Sequence, residues 1–486
     1  MRDLVIDLSR VALKRRRTKI VATVGPASNT PQMLAALIDA GVDVFRLNFS
    51  HGTHESHGQT HQAIRAAEAR AGRHVGVLAD LCGPKIRVGT FEHGGIDVAD
   101  GAAVTVTVRE VVGGPGLIPS EYPALARDLK PGDRVLLDDG KLELRVEFVQ
   151  ETEIGCRVIT GGRLTDKKGM NLPGVAVSAP ALTEKDRADA LFAARLGVDH
   201  LALSFVRSAD DVHELKSLLA ASGLDIPVIA KIEKPEALDS IGAILEAADG
   251  IMVARGDLGV EMPAEQVPVI QAELVRLAIL ACRPVIVATQ MLESMIQAPR
   301  PTRAEVADVA DAPLALADAV MLSAETAAGR YPREAVATMD RILRLVEGHQ
   351  WKHGKHGLVS EHAPDVSIDA PAAMARAVAL LSRDVAVRSI VVPTEHGNTA
   401  RQIAAKRPAA PIVAVSADER VCRRLALHWG VTSELAPPER QADLPRLARD
   451  VVRRLGLAEP GQPILLVWDS DPAHTGAALS VSLLSA

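Results

Sequence analysis

Residues 227–257 read PVIAKIEKPEALDSIGAILEAADGIMVARGD, and this stretch decides the fold. Two short apolar runs, 227–233 and 250–257, flank a stretch with helical spacing, and each run ends on polar or ionisable residues. Continuous runs of Val, Ile and Ala are typical of parallel strands that are buried on both faces. The stretch therefore predicts a strand–helix–strand unit whose strands end in side chains that can do chemistry.

The same pattern recurs along the chain and gives eight such runs in all, at 19–25, 42–49, 75–80, 200–205, 227–233, 250–257, 284–290 and 319–325. Eight parallel strands separated by helices close a (β/α)8 TIM barrel. In such barrels the chemistry lies at the C-terminal ends of the strands. We therefore expect the polar residues at these ends to meet in one pocket; they are Arg46, Asn48, Asp80, Ser204, Lys231, Glu233, Asp257, Thr289 and Glu325.

The helical spacing disappears between residues 88 and 180. Alternating runs typical of strands take its place at 102–108, 134–137, 142–149 and 154–159, and Asp139-Gly140 between two of them signals a two-residue hairpin turn. The pattern predicts a small β-barrel domain inserted after the third barrel strand. At that position the inserted domain would act as a lid over the mouth of the barrel.

A second α/β domain is predicted after the barrel, with strands at 389–393, 411–415, 431–435 and 463–468. The predicted organisation is an N-terminal segment (1–17), barrel (18–87), inserted lid (88–180), barrel (181–347), linker (348–367) and C-terminal domain (368–486).

Composition narrows the class of protein. With 48% hydrophobic and 24% charged residues the chain is typical of a soluble globular protein, and a net charge of -6 argues against a nucleic-acid partner. No apolar stretch reaches membrane-spanning length and the N-terminus lacks the order of a secretory signal, so we expect no membrane association and a cytoplasmic location. The basic run at 14–17 is interpreted as a solvated patch, and the four widely spaced cysteines as reduced thiols.

The strand ends suggest specific chemistry. Lys231 and Glu233 point to the same side of their strand, either as a structural ion pair or as part of a site at the mouth. Glu233 and Asp257 lie on adjacent strands and offer the hard carboxylates that Mg²⁺ prefers. Hydroxyl and carboxylate groups at Thr289, Ser323 and Glu325 are suited to relaying a proton.

Ten segments of the chain resemble the pyruvate kinase family. They are TKIVATVGPAS, RLNFSHGTH, ADLCGPKIRVG, KKGMNLPG, ALSFVR, KIEKPEAL, GIMVARGDLGVEMP, ATQMLESMI, PRPTRAEVADVA and MLSAETAAGRYP. Together they cover the barrel from end to end and the exit of the insertion, and the C-terminal domain matches more weakly. The resemblance implies phosphoryl transfer from phosphoenolpyruvate to ADP, giving pyruvate and ATP, with Mg²⁺ or Mn²⁺ as cofactor.

The resemblance also implies a role for each matching residue. Lys231 and Arg46 would hold the transferring phosphoryl group, and Glu233 and Asp257 would bind the metal. The backbone amides of Gly256 and Asp257 would receive the substrate carboxylate. Thr289 would lie on the path of the proton to the enolate, with Ser323 and Glu325 behind it. The implied nucleotide site comprises Pro26, Asn48, His51, Arg87 and Lys168.

The chain departs from the commonest family pattern at Leu81 and Lys85, where many members carry Thr and Glu. This combination resembles the family's Lys-bearing variant, which does not require K⁺. The Lys85 ammonium is then expected to take the place of K⁺ near Asn48, Ser50, Asp80 and Leu81. The alternative is that Lys85 points to solvent or to a nucleotide phosphate.

The C-terminal loop with Thr394, His396, Gly397, Asn398 and Thr399 leads into a helix and resembles a site for a phosphorylated effector. A plain structural turn is the alternative for this loop. A homotetramer is implied by the resemblance alone. Two rival functions are a metal-dependent aldolase or lyase, which would lack the insertion, and a non-catalytic relic, which would have lost some of Lys231, Glu233, Asp257 and Thr289.

Overall fold

A computed structural model describes residues 12–175, 177–354, 370–469 and 479–486. The predicted N-terminal segment and linker therefore lie partly outside the described residues. The strands of the described part are β1 (Lys19–Thr23), β2 (Val44–Asn48), β3 (Gly76–Asp80), β4 (Gly95–Val98), β5 (Ala103–Thr107), β6 (Leu117–Pro119), β7 (Arg134–Leu137), β8 (Leu142–Gln150), β9 (Glu153–Thr160), β10 (Gly162–Thr165), β11 (Met170–Asn171), β12 (His200–Leu203), β13 (Val228–Ile232), β14 (Gly250–Ala254), β15 (Val285–Ala288), β16 (Ala319–Leu322), β17 (Ile390–Pro393), β18 (Ile412–Ser416), β19 (Val431–Leu435), β20 (Pro463–Asp469) and β21 (Leu479–Ser485).

The helices of the same part are α1 (Pro31–Ala40), α2 (His54–Ala71), α3 (Leu125–Asp128), α4 (Glu184–Leu196), α5 (Ala209–Ala221), α6 (Glu236–Asp239), α7 (Ile241–Ala247), α8 (Arg255–Glu261), α9 (Val267–Leu280), α10 (Arg303–Leu314), α11 (Ala324–Ala327), α12 (Pro332–Lys352), α13 (Ala370–Asp384), α14 (Asn398–Ala405), α15 (Glu419–Arg424) and α16 (Leu444–Arg454). Short 3₁₀ turns occur at Ala264–Gln266, Glu293–Ile296, Leu425–Leu427 and Pro438–Ala442.

The eight predicted apolar runs each contain one strand of a closed parallel barrel, which confirms the predicted fold. The strand order around the barrel is β1-β16-β15-β14-β13-β12-β3-β2. The apolar runs form strands because helices cover their outer face and side chains fill the lumen, so that both faces are buried. The sequence interpretation extended two runs into the following helix. β14 ends at Ala254, and residues 255–257 form the first turn of α8, while β16 ends at Leu322 and Ala324 begins α11.

The lumen of the barrel is filled by one cluster of buried apolar side chains, among them Val21, Leu78 and Met252. Ala426 and Leu427 of the C-terminal domain belong to the same cluster. The C-terminal domain therefore closes the N-terminal end of the barrel, opposite the mouth. A buried ion pair between Arg407 and Asp318, with a nitrogen–oxygen distance of 2.7 Å, fixes this junction.

The insertion forms a six-stranded sheet in the order β11-β7-β8-β9-β5-β6 and a two-stranded sheet of β10 and β4, which enclose one hydrophobic core. The four predicted strands are present, whereas β4, β6, β10 and β11 are too short to show an alternating pattern. The predicted hairpin joins β7 and β8, but its loop contains four residues, 138–141, because Asp138 and Asp139 as well as Gly140 adopt positive φ.

The C-terminal domain contains a five-stranded sheet in the order β19-β18-β17-β20-β21. The four predicted strands are confirmed. The sequence interpretation missed β21, which pairs antiparallel with β20. An antiparallel neighbour does not require a crossover helix, so the strand–helix alternation gave no signal for it.

The interpretation of the basic run at 14–17 as a solvated patch was wrong for Arg16 and Arg17, whereas Lys14 and Arg15 are exposed. Arg16 forms ion pairs with Asp43 and Asp340 at 2.7 and 3.1 Å, and its side chain is only 7% exposed. The backbone amides of Arg17 and Thr18 donate to the carboxylate of Glu347. The run therefore clamps the chain to α12, which itself continues to Lys352, beyond the predicted start of the linker.

Two findings bear on the expectations from composition. The four cysteines are all free thiols, and burial raises the pKa of Cys156 and Cys422 to about 12. Within the described residues, none of the helices has both the length and the apolar character needed to cross a bilayer.

Candidate active site

Lys231 is the centre of a buried cluster at the mouth of the barrel. Its ammonium nitrogen lies 2.8 Å from a carboxylate oxygen of Glu233, 3.3 Å from Asp80 and 2.7 Å from the hydroxyl oxygen of Ser204. These residues lie at the ends of three neighbouring strands, β13, β3 and β12. The two carboxylates are each 1% exposed, so the cluster is held away from bulk water.

Asp80 joins Lys231 to the second cation, Arg46. Arg46 donates from Nε to Asp80 at 2.6 Å and from Nη1 to the hydroxyl of Thr23 at 3.1 Å. This arrangement follows from the register of the barrel, which places Arg46 of β2 beside β3. Two cations on either side of one buried carboxylate form a pocket suited to an anionic substrate group.

The opposite charges of the cluster stabilise one another in their ionised forms. Burial alone would raise the pKa of Asp80, but Lys231 and Arg46 outweigh it and hold that pKa below its ordinary value. Burial disfavours the charge of Lys231, yet the carboxylates of Asp80 and Glu233 raise the pKa of this lysine above its ordinary value. Lys231 therefore stays positively charged at neutral pH.

Glu233 and Asp257 form the candidate metal site. Burial raises the pKa of Glu233, Lys231 opposes that shift, and the negative charge of Asp257 adds to it. Glu233 also accepts a hydrogen bond from the backbone amide of Phe205 at 2.8 Å. A divalent cation would relieve the repulsion between the two carboxylates, and two carboxylates completed by water and substrate oxygens suit Mg²⁺. The residues present fit such an ion.

Thr289 follows β15 and adopts an unusual positive φ of 69°. Its hydroxyl donates to the carbonyl of Ala288 at 2.6 Å and accepts the backbone amide of Gly256 at 2.7 Å. The predicted carboxylate-binding amide of Gly256 is therefore bonded to Thr289 in this structure. Arg255 fixes the strained turn, because its guanidinium donates to the carbonyl of Thr289 at 2.7 Å.

Glu325 lies behind this turn and is 2% exposed. Its carboxylate accepts the backbone amides of Leu292 at 3.1 Å and Ser323 at 2.7 Å. It thereby joins the segment after β15 to the segment after β16. This geometry holds the backbone around Thr289 and Ser323 in place.

The predicted nucleotide-binding residues lie on three segments around the mouth. Asn48 ends β2 and caps the turn to Ser50 and His51, with its side-chain oxygen accepting the amide of Ser50 at 3.1 Å. Arg87 donates to the carbonyl of Lys167 at 2.9 Å, and Lys168 pairs with Asp138 at 2.8 Å. The structure thus brings Arg87 and Lys168 together where the insertion leaves the barrel. Pro26 is exposed on the loop after β1.

Lys85 extends toward Asp257, with a nitrogen–oxygen distance of 3.9 Å. Among the described residues, Asp257 is the carboxylate partner within ion-pair distance, whereas Asp80 is taken by Arg46 and Lys231. The Lys85 side chain is 32% exposed and lines a small cavity between barrel and insertion. It therefore lies beside the candidate metal site.

The predicted effector loop is closed by its own hydrogen bonds. The amide of Gly397, at a φ of 84°, donates to the hydroxyl of Thr394 at 2.9 Å, and Asn398 accepts from Arg401. Thr399 lies in the first turn of α14, and His396 is 63% exposed.

The sequence interpretation missed two site residues. Thr23, which binds Arg46, is a polar residue at the end of an apolar strand. The pattern that identified the other site residues therefore applied to Thr23 as well. Arg255 was quoted but given no role; its partner Asp308 lies on α10, 53 residues along the chain, so only the tertiary structure joins them.

Comparisons with known proteins agree with this geometry. The family model "Pyruvate kinase, barrel domain" matches residues 15–336, and "Pyruvate kinase, alpha/beta domain" matches residues 372–478. The chain belongs to the pyruvate kinase family. It is 46% identical to a pyruvate kinase of Geobacillus stearothermophilus (95% of this chain, 79% of the relative). It is 44% identical to one of Corynebacterium glutamicum (95% and 96%).

A crystal structure of a pyruvate kinase from Cryptosporidium parvum superposes with a TM-score of 0.88 at 35% identity, covering 97% of this chain and 96% of that one. The activity is accordingly that of a phosphotransferase acting on phosphoenolpyruvate and ADP. The aldolase and relic-barrel alternatives are thereby set aside. The family generally needs Mg²⁺ or Mn²⁺.

Proposed function

We propose that Lys231 and Arg46 receive the phosphoryl group of phosphoenolpyruvate from two sides in this family's reaction. The observation that carries the proposal is the buried Lys231–Asp80–Arg46 array, with ion-pair distances of 3.3 and 2.6 Å. Phosphoryl transfer depends on positioning and on stabilising charge. Lys231 lies close to the end of its strand, where its ammonium group can also stabilise the negative charge that develops on the enolate oxygen.

Glu233 and Asp257 would hold the divalent metal. When bound, Mg²⁺ supplies positive charge to substrate oxygens and fixes their orientation. The two protein carboxylates supply its anionic ligands, and Lys231 beside Glu233 keeps the local charge balanced.

Thr289 is proposed to lie on the path of the proton to the enolate carbon. Its hydroxyl is held by two backbone groups, so substrate binding would exchange its contact with Gly256 for one to the substrate or water. The amides of Gly256 and Asp257 would then receive the substrate carboxylate. Ser323 and Glu325 are proposed to act from behind, and the two backbone hydrogen bonds of Glu325 favour a positioning role for it.

The nucleotide is proposed to bind where the insertion meets the barrel, at Arg87, Lys168, Asn48, His51 and Pro26. Arg87 and Lys168 supply positive charge for phosphates there. The insertion (88–180) then acts as a lid. The remaining domain bounds are proposed as predicted from the sequence, except that the barrel continues to Lys352 at the end of α12. A cytoplasmic location is proposed from the sequence pattern, and a homotetramer from the family resemblance alone. A phosphorylated effector is proposed to bind the C-terminal domain.

The proposed activity is tested by following pyruvate in an initial-rate assay. Purified protein with Mg²⁺, phosphoenolpyruvate and ADP is expected to form pyruvate and ATP in equal amounts. Omission of ADP or chelation of Mg²⁺ should abolish the signal. Absence of pyruvate formation under the complete conditions would contradict the proposal.

Lys85 is proposed to replace K⁺. Its fixed positive charge at the mouth lies 3.9 Å from Asp257, and the neighbouring Leu81 is buried. The enzyme is expected to reach nearly its full rate in tetramethylammonium buffer without K⁺. Lys85→Glu should lose about tenfold or more in rate, because the variant gains a carboxylate beside Asp257.

Added K⁺ should partly restore Lys85→Glu, and Lys85→Arg, which keeps the charge, should remain independent of K⁺. A wild-type enzyme that is inactive until K⁺ is supplied would refute the role of Lys85. That result would leave the kinase activity itself untouched, because the assay contains all the substrates in both cases.

A further inference from the structure

The short helix α8 carries Asp257 of the proposed metal site, but hydrophobic packing holds this helix only weakly. Of its seven residues only Leu258 and Glu261 are buried, so a leucine is its one buried apolar side chain. A cavity of about 40 Å³, lined in part by Asp257, lies beside it. Helices in proteins are held mainly by packing of an apolar face. The position of Asp257 therefore depends on polar contacts of α8.

Ion pairs hold α8 at both of its ends. At its first residue, Nη2 of Arg255 lies 2.7 Å from a carboxylate oxygen of Asp308 on α10. At its last residue, Glu261 accepts a hydrogen bond from the ammonium of Lys234 at 2.6 Å. The side chain of Lys234 is 13% exposed and that of Glu261 only 1%. Asp257 lies between these two fixed points.

The Lys234–Glu261 pair joins the same two segments that the metal must join. Lys234 directly follows Glu233 at the end of β13, and Glu261 lies four residues after Asp257 on α8. Residues four apart lie on the same face of a helix, about 6 Å apart along its axis. The ion pair and the two metal carboxylates therefore bridge β13 and α8 next to each other.

The insertion contacts the same carboxylate. Asn171 of β11 donates from its side-chain amide to Oε1 of Glu261 at 3.2 Å, and this oxygen also accepts from Lys234. Lys168 of the proposed nucleotide site lies two residues before β11. Glu261 thus connects α8, the end of β13 and the last strand of the insertion.

The burial of this pair indicates a role in geometry. A buried ion pair adds little net stability, because the loss of hydration offsets much of the attraction between the charges. It does fix the distance and direction between the two segments that carry it. Residues that orient metal ligands without touching the metal commonly contribute about 10- to 100-fold to metal affinity or activity.

We propose that Lys234 and Glu261 are positioning residues for the divalent metal, and that their ion pair sets the spacing between Glu233 and Asp257 before the metal binds. The inference rests on the metal site proposed above. Neither residue is assigned a contact with the metal or the substrate.

Two simpler roles for the pair predict different results. If the pair acted only on stability, metal affinity would follow the melting temperature of each variant. If it acted only through its charges, loss of Lys234 would strengthen cation binding and loss of Glu261 would weaken it, because the two charges have opposite signs. A positioning role predicts weaker binding in both cases.

The test is Mn²⁺ binding to the full-length protein without phosphoenolpyruvate or nucleotide, followed by the electron paramagnetic resonance of free Mn²⁺. Lys234→Met and Glu261→Gln are each expected to raise the Kd for Mn²⁺ about tenfold. Glu261→Gln keeps an oxygen that can accept from Asn171, so it isolates the link to Lys234. Lys234→Arg keeps the charge and should bind Mn²⁺ like the wild type.

The double variant Lys234→Met/Glu261→Gln separates positioning from stability. Lys234→Met alone leaves a buried carboxylate without its cation, so its melting temperature should fall. The double variant removes that carboxylate charge and should recover the wild-type melting temperature. Its Kd for Mn²⁺ should stay about tenfold raised, as in each single variant, because all three changes break the same link.

Glu273→Gln is the matched control. Glu273 forms an ion pair with Arg276 at 2.6 Å, but both side chains are exposed and lie on the same helix, α9. The substitution is the same and the pair is equally short, yet it connects no two segments of the metal site. Mn²⁺ binding and melting temperature should both remain those of the wild type.

Wild-type Mn²⁺ affinity in Glu261→Gln or in the double variant would overturn the inference, and so would tighter binding in Lys234→Met. The double variant carries no unpaired buried charge, so it gives a result even if Lys234→Met does not fold. Unchanged affinity in these variants, with weakened binding in Glu233→Gln and Asp257→Asn, would remove this inference and leave the metal site standing. Unchanged affinity in Glu233→Gln and Asp257→Asn would remove both.

Discussion

Lys231→Met is expected to lower kcat by about 10²- to 10³-fold while changing the Michaelis constant for phosphoenolpyruvate much less. The ammonium is held by Glu233, Asp80 and Ser204 in a site with little water, so its charge acts at nearly full strength. The enolate that forms during transfer carries more negative charge at its oxygen than the ester does. An interaction that strengthens in the transition state appears in kcat.

Removal of the Lys231 ammonium also leaves the negative charges of Asp80 and Glu233 without their cation. The folding of the variant must therefore be checked alongside its rate. Lys231→Arg keeps the charge and should retain the folded structure with a displaced donor. Lys352→Met, at the exposed end of α12, is the control for the substitution itself. Turnover close to the wild-type value in a folded Lys231→Met protein would disprove the role of Lys231.

Glu233→Gln and Asp257→Asn are expected to raise the Mg²⁺ or Mn²⁺ concentration for half-maximal activity by about tenfold or more each. Each change removes one anionic oxygen ligand while preserving shape. Glu233→Gln also leaves Lys231 with one carboxylate partner fewer, so this variant should lose kcat as well. Asp257 is more exposed and lacks that contact, so Asp257→Asn should affect the metal titration more selectively.

Glu246→Gln provides the matched control, because Glu246 is an exposed carboxylate on α7 of the same strand–helix–strand unit. A metal titration can also be followed without turnover, by Mn²⁺ binding in the absence of nucleotide. Unchanged Mn²⁺ affinity in both site variants would place the metal elsewhere.

The pattern of apolar and polar residues along the chain was sufficient to predict the barrel and most of the residues at its mouth. Buried parallel strands appear in the sequence as continuous apolar runs. The polar residue that ends such a run must face either solvent or a partner. Lys231, Asp80 and Glu233 were predicted to meet on this basis, and they do. The same signal was present at Thr23.

Other features depended on positions that no local pattern encodes. Arg255 meets Asp308 from a different helix, and the strained turn at Thr289 is set by that contact. Asp138 and Asp139 adopt left-handed backbone conformations, so the hairpin loop became longer than the Asp-Gly signal indicated. Arg16 appeared to be a surface residue, since a run of charges is usually solvated, but Asp43 and Asp340 bury it.

The sequence by itself determined the strand–helix alternation, the place of the insertion and the identity of the charged strand ends, because these follow from short-range periodicity and side-chain chemistry. The tertiary structure decided which charges neutralise one another. It pairs Lys85 with Asp257 and gives Asp80 to both Lys231 and Arg46. Electrostatic interactions act over a few ångströms in space, and distance along the chain carries no information about them.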